Sequence, residues 1–213
     1  MRFDKALTLL ERARTEGLPG PDAQAAMAPR PRRFWVPGVV PAGARRAAGL
    51  AVLYPENRDT TLILTVRGEH LANHRGQVSL PGGAVEAGES VEQAALREAE
   101  EEVALPPPDV TLRLALTPLH IPVSGYVLHP VVATVAEPPA LHPAASEVDR
   151  IVAVPVSALM AGDGLAIETR EREGLVFEVP YFDLGGAKLW GATAMIVAEL
   201  LAVLGHRVDP WRR

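Results

Sequence analysis

Carboxylates crowd the stretch from Gly82 to Leu105, GGAVEAGESVEQAALREAEEEVAL, more densely than a structural helix needs. Counting from Gly83, Glu89 follows after five residues, and seven more lead to Arg97-Glu98, then Ala99, Glu100 and the pair Glu101-Glu102. At about 3.6 residues per turn, Glu98, Glu101 and Glu102 stand at i, i+3 and i+4 on one helix face, while Ala95, Leu96, Ala99 and Val103 line another. Like charges at that spacing repel, so the cluster makes physical sense with a divalent cation between the carboxylates. Hard oxygen ligands of this kind suit Mg²⁺ or Mn²⁺. Such an ion lowers the pKa of bound water and screens the charge of a phosphoric anhydride, which otherwise repels a nucleophile.

Local signals position those acids. Ser90 caps the amino end of the expected helix, Gln93 three residues later completes a capping box, and Pro106-Pro107-Pro108 prevents continuation. Upstream, Pro81-Gly82-Gly83 reads as a tight loop whose backbone can approach a ligand because two positions lack a side chain. An isolated acidic run usually marks a solvated face. Here six glycine, glutamate and arginine positions recur at set intervals over 23 residues, which favours chemistry over solvation.

The spacing resembles the signature of the Nudix hydrolase family through Gly83, Glu89, Arg97, Glu98, Glu101, Glu102 and Leu105. The resemblance implies an α/β/α sandwich with a mixed β-sheet and metal-dependent hydrolysis of a diphosphate linkage. It implies Glu98, Glu101, Glu102 and the Gly83 carbonyl as metal ligands and Arg97 as the residue that orients a glutamate, with Gly82 and Glu89 holding the loop. Glu98 is the first candidate for general base, followed by Glu101 or Glu147. Ala104 stands where the family has a helix-ending glycine, so the helix is expected to end differently here, since alanine with positive φ costs about 1–2 kcal/mol.

A second stretch, LILTVRGEHLANHRGQVSLPGG from Leu62 to Gly83, resembles the motif of the coenzyme A diphosphatase branch of the same family. Ile63-Leu64-Thr65, Arg67, Gly76 and Pro81-Gly82-Gly83 match, and His74 to Val78 is similar to a His-x-Gly-Gln-Val run of that branch. Gly68, Ala72 and Leu80 depart from the motif, Ala72 taking the place of an arginine, with Arg75 three residues on. The implied substrate is coenzyme A or a derivative, with Arg67, His74, Gln77 and Tyr126 as candidate contacts. His70 and His74 lack a third ligand at metal spacing, so His74 reads as a loop histidine that orders the turn or touches substrate. Tyr126 reads either as core or as a stacking partner for an adenine. Leu189 to Ala194, LWGATA, also resembles a run near the end of that branch.

The rest of the chain supplies the scaffold. Phe3, Leu7 and Leu10 predict a short amphipathic helix to about Glu16. From Gly17 to Gly43, ten of 27 residues are glycine or proline, which predicts an irregular extension that Phe34 and Trp35 pin to the domain or to a second subunit. Ala47–Tyr54 and Thr60–Arg67 read as a hairpin, and Val110–Leu116, Val127–Val135, Ile151–Val156 and Leu175–Val179 as further strands. Ser157 to Met160 begins a short helix. Trp190, Ala194, Val197, Leu201 and Leu204 form the stripe of a packed carboxy-terminal helix. The expected organisation is an extension over 1–43, a hydrolase domain over 44–205 and a tail over 206–213.

Composition bounds the partners. The 213 residues carry a net charge of −5, and the only basic cluster is Arg30, Arg32 and Arg33, so a nucleic-acid partner is not expected. No apolar run approaches the ~20 residues that span a bilayer, and the mixed charges of the first 17 residues do not read as a secretory signal. The chain has no cysteine, which excludes disulfides, thiol nucleophiles and zinc–thiolate sites. A cytoplasmic protein acting on a small nucleotide-type substrate is expected, with homodimerisation implied by the family and by the apolar extension.

Overall fold

The computed structural model describes residues 1–32, 35–68, 76–172 and 174–212. The chain begins with α1 (Phe3–Glu16), α2 (Pro21–Gln24) and a 3₁₀ turn (Ala25–Met27). A hairpin of β1 (Arg45–Glu56) and β2 (Asp59–Arg67) is followed by the short β3 (Val78–Ser79) and β4 (Gly82–Ala84), then α3 (Val91–Val103). Next come β5 (Thr111–Ala115), β6 (Leu119–Ile121), β7 (Tyr126–Thr134), β8 (Val148–Pro155) and α4 (Val156–Ala161). The chain closes with β9 (Leu165–Arg172), β10 (Leu175–Asp183), β11 (Lys188–Trp190) and α5 (Gly191–Val203).

The larger sheet runs β3-β2-β1-β7-β5, with β4 on β1, β6 on β7 and β8 on β2. It is mixed because β1 and β7 lie parallel whereas β1 and β2 are antiparallel. The hairpin turns on Asn57 and Arg58, both at positive φ (49° and 66°), the backbone of a two-residue turn that matches strand twist. Beyond Leu53↔Leu62 the two strands separate; β4 pairs with Ala47–Gly49 of β1, and β3 with Thr65–Val66 of β2. The glycine turn that carries the candidate chemistry thus enters the sheet between two diverging strands.

Alternation along β1 divides the interior into two cores. Leu50, Val52 and Tyr54 face α3, where Val91, Ala94, Ala95, Ala99 and Val103 supply the apolar stripe. Ala51 and Leu53 face the opposite way, toward α1, α4 and α5, with Leu10, Leu159, Ile196 and Leu200 in the same core. Helices therefore cover both faces of a mixed sheet, an α/β/α sandwich. Each fully buried Leu or Val contributes on the order of 1.5–3 kcal/mol, so the site rests on two packed layers.

Three expectations change. The Gly17–Gly43 stretch is not wholly irregular: α2 and the 3₁₀ turn bury Ala23, Gln24, Ala25 and Met27, while Trp35 packs against the core and Phe34 lies outside the described residues. The carboxy-terminal helix is not a single stripe, since every residue from Ala194 to Leu201 is buried, Glu199 included. Its carboxylate accepts bonds from Gln24 Nε2 (2.8 Å), Thr117 Oγ1 (2.6 Å) and the Thr117 amide (3.2 Å), tying the amino-terminal segment and the β5–β6 connection to α5. Finally, β9 and β11 flank β10 in a separate three-stranded sheet, of which only β10 was expected.

The end of α3 also departs from expectation. Ala104 adopts the left-handed conformation (φ 56°, ψ 37°) that the family reserves for glycine, and its amide bonds to the Glu100 carbonyl at 3.0 Å. Leu105, buried just beyond, anchors the turn despite the strain of an alanine Cβ there. Ala104→Gly should therefore stabilise the protein by about 1 kcal/mol, raising Tm by roughly 2–4 °C for a chain of this size. A thermal melt in which Tm falls instead would contradict this account of the helix end.

Candidate functional site

The candidate site is built where α3 passes beneath β4. Ser90 caps α3 as expected: its hydroxyl accepts from the Gln93 amide (3.1 Å), and Gln93 Oε1 accepts from the Ser90 amide (2.8 Å). That reciprocal pair sets the phase of the helix and hence which carboxylates reach the glycine turn. Gly82 lies so close to β1 that a Cβ there would sit 2.2 Å from the Ala48 carbonyl. At Gly83 a Cβ would meet Glu98 Oε1 at 2.3 Å. Both glycines are therefore required by close packing, the first against a strand and the second against a candidate ligand.

The three glutamates share a helix face but not an environment. Glu102 is only 4% exposed, and Gly82 N–H donates to its Oε2 at 3.2 Å. Glu98 is largely covered, whereas the Glu101 side chain is 59% exposed. Arg97 joins them: Nε and Nη2 grip both oxygens of Glu89 (2.9 and 3.2 Å), and Nη1 donates to Glu98 Oε1 (2.9 Å) and Glu101 Oε2 (3.0 Å). Its Nη2 also donates to the Ala84 carbonyl at 3.2 Å, so one guanidinium ties helix, turn and loop together. The two-pronged partner is Glu89, which in turn accepts from the Glu86 amide at 3.0 Å and closes the loop before α3.

Burial raises the Glu102 carboxyl to about 7, with the neighbouring charges of Glu98 and Glu147 adding to it and Gly82 N–H and Arg67 opposing. Glu98 is also raised, chiefly by burial, and secondarily by Glu101 and Glu147, against Arg97. Glu147, on the turn before β8, is thus a fourth acid at the cluster, its backbone carbonyl held by the Gly68 amide at 2.9 Å. Among the described residues, no three histidine, aspartate or glutamate side chains converge tightly enough to hold an ion as they stand. Arg97 occupies oxygens of Glu98 and Glu101. The donor set still fits a hard divalent cation: a buried carboxylate accepts a long hydrogen bond, 3.2 Å, from the Gly82 amide, and acids press on it from α3 and the β8 turn.

The other predicted residues lie at differing removes. Arg67 Nη1 is 3.9 Å from Glu102 Oε1, and its buried Nε has no hydrogen-bond partner among the described residues. Gln77 is half-buried at the entry to β3, and its carbonyl accepts the Arg67 amide at 3.0 Å. Tyr126 pairs with Arg45, three positions along β1 from the Ala48↔Gly83 pair, roughly 10 Å by strand rise, and Arg45 stacks on its ring at 4.1 Å. His70, Ala72, His74 and Arg75 lie outside the described residues. Leu80, in place of the motif's phenylalanine, is buried in the core facing α5. No sequence signal pointed to the Ala84 carbonyl, because a backbone acceptor has no residue type.

A mixed-sheet sandwich carries this glycine turn over an arginine-bound glutamate helix. Residues 43–171 match the NUDIX domain. The chain is 35% identical over 175 residues to a Nudix hydrolase NudL of Pectobacterium atrosepticum, covering 80% of this chain and 89% of that one. It is 42% identical over 166 residues to its namesake in Escherichia coli O7:K1, covering 73% and 82%. The crystal structure of a MutT/nudix family protein from Enterococcus faecalis shares the fold, with a TM-score of 0.51 at 18% identity over 77% of this chain and 63% of that one. The chain belongs to the Nudix hydrolase family and is a pyrophosphohydrolase of nucleoside diphosphate derivatives. Enzymes of this family generally use divalent metal ions.

Two predictions follow from the geometry. Glu102 has its folded pKa raised above the ordinary value of 4.5 to about 7, so the fold favours its protonated form. Its stabilising contribution is complete below pH 4.5 and is lost as pH rises through about 7. In chelator, Tm should therefore fall between pH 5 and pH 7.5, and Glu102→Gln should flatten that slope; an unchanged slope in the variant would assign it to other groups. Gly83→Ala should displace the Glu98 carboxylate and lower turnover at least tenfold while leaving the circular dichroism spectrum native.

Proposed function

We propose that this enzyme hydrolyses coenzyme A or its derivatives at the diphosphate, giving 3′,5′-adenosine bisphosphate and 4′-phosphopantetheine. Water adds across the anhydride, one P–O bond forming as the bridging P–O bond breaks. The observation that carries the reading is Arg67. It is the arginine of the branch motif, and it reaches from the end of β2 to within 3.9 Å of buried Glu102, with its side chain still 29% exposed. A guanidinium there suits an anionic phosphate. The LWGATA run, which enters α5 through Trp190, supports the same branch.

Glu98, Glu101, Glu102 and the Gly83 carbonyl are assigned as ligands of Mg²⁺ or Mn²⁺. When bound, the ion supplies charge screening and a more acidic water. Arg97 orients Glu98 and Glu101 through Nη1 and is itself held by Glu89. Glu98 is the first choice for the base that takes the proton from the attacking water, because its pKa is raised and Arg97 aims it; Glu101 and Glu147 are the alternatives. Gln77 and His74 are assigned to substrate, and Tyr126 to the nucleoside end. The hydrolase domain is assigned to residues 44–205, with 1–43 as an extension and 206–213 as a tail. No helix among the described residues is long and apolar enough to cross a membrane.

Ala72, in place of the motif's arginine, favours one second reading: another nucleoside diphosphate conjugate, such as ADP-ribose or a dinucleotide. A binding module without turnover has no use for clustered like charge, so the intact acidic triplet speaks against it. Incubation with Mg²⁺ or Mn²⁺ and a panel of coenzyme A, ADP-ribose, NADH and nucleoside triphosphates separates the readings. Coenzyme A is expected to show the highest kcat/KM, and Glu102→Gln to lose turnover by orders of magnitude with the fold retained. Preference for ADP-ribose would move the enzyme to the second reading, and near wild-type rates in Glu102→Gln would refute the ligand assignment.

A further inference from the structure

Two arginines divide the acids of the site between them. Arg97 hydrogen-bonds to Glu89, Glu98 and Glu101, so its single charge is already shared among three carboxylates. Glu102 faces a different cation. Arg67 Nη1 stands 3.9 Å from Glu102 Oε1, while the Gly82 amide donates to Oε2 at 3.2 Å on the other side. At 3.9 Å the guanidinium answers the charge of the carboxylate without a hydrogen bond that would hold it there.

The root of Arg67 is fixed. Its amide donates to the Gln77 carbonyl and its carbonyl accepts from the Gly76 amide, both at 3.0 Å, and its Cα pairs with Val148 of β8. The β2–β8 ladder is bulged at this point, since Val66 pairs with Arg150 and Arg67 with Val148, leaving Asp149 over. Bulges re-aim the side chains beside them, and this one sets Arg67 at the rim of the acid cluster. Its tip is not fixed. The Arg67 side chain is 29% exposed and that of Glu102 only 4%, so the guanidinium has solvent to turn into and the carboxylate has none.

We propose that Arg67 is a stand-in cation: it screens Glu102 while the site holds no ion, and a divalent ion arriving at Glu102 must displace it. The inference rests on the assignment of Glu102 as a metal ligand. Arg67 then competes with the ion, so its removal strengthens metal binding. An arginine reserved for substrate would leave the affinity of the ion unchanged.

The test is Mn²⁺ binding to the full chain, stripped with chelator and titrated calorimetrically with no substrate present. Arg67→Met keeps an unbranched apolar stem without the charge, and it should bind Mn²⁺ about tenfold more tightly than the unmodified protein. Saturating Mn²⁺ should also raise its Tm by more than it raises that of the unmodified protein. Arg67→Lys, which keeps the charge, should restore the weaker binding. Lys5→Met removes an equal charge from the exposed side of α1, across the sheet from α3, and should leave the affinity as it was. Unchanged or weaker Mn²⁺ binding in Arg67→Met would overturn the proposal, and so would equal tightening in Lys5→Met, which would trace the effect to net charge. Glu102→Gln reports separately on the ligand assignment: it should weaken Mn²⁺ binding at least tenfold, and if it does not, the assignment fails and takes this inference with it.

Discussion

A carboxylate removed from water beneath a glycine turn is the constraint around which this protein is arranged. Glu102 sits on the buried flank of α3, and the groups that meet it come from three other places: the Gly82 amide, Arg67 at the end of β2 and the acid at 147. A buried carboxylate with so little compensation resists ionisation. In the proposed role of Glu102 as a metal ligand, the charge that destabilises the apoprotein is the charge that would hold the ion. Under that assignment, ion binding and fold stability would be coupled at one residue.

Two features make that burial possible. Gly82 lets β4 lie against the β1 backbone, bringing its amide over α3, and Gly83 leaves the space that Glu98 fills. Arg97 then spreads one positive charge over Glu89, Glu98 and Glu101, which keeps three acids near one another without the repulsion a bare cluster would carry. Arg97 is itself held more firmly protonated by Glu89, so it remains a cation throughout the working pH range. Away from the site, the Glu199 carboxylate does comparable organising work, its hydrogen bonds tying the amino-terminal segment to the last helix.

What the chain reveals on inspection and what it conceals divide along the range of the interactions. The helix 91–103, its Ser90 cap, the β1–β2 hairpin and the spacing of the acids depend on residues within a few positions of one another, and all are legible. The second sheet is not. β9, LAIETRER, has the charge of a loop or a solvated helix, and it becomes a strand because Leu165–Phe182 and its other pairings fix it to β10. Ala104 misleads for the opposite reason: propensity argues against a left-handed alanine, but the packing of Leu105 and the prolines after it outweigh about 1–2 kcal/mol of strain.

The sequence by itself determined that six glycine, arginine and glutamate positions recur at a spacing suited to a divalent ion, and which helix carries them. Helical periodicity needs nothing more than neighbours in the chain. Only the tertiary structure decided that Glu102 is buried while Glu101 is exposed, that Arg97 grips Glu89 with two bonds and Glu98 with one, and that Arg67 and Glu147 stand beside the cluster. Burial and charge coupling are properties of segments brought together from residues 67, 82, 102 and 147, and no periodicity along a single segment encodes that meeting.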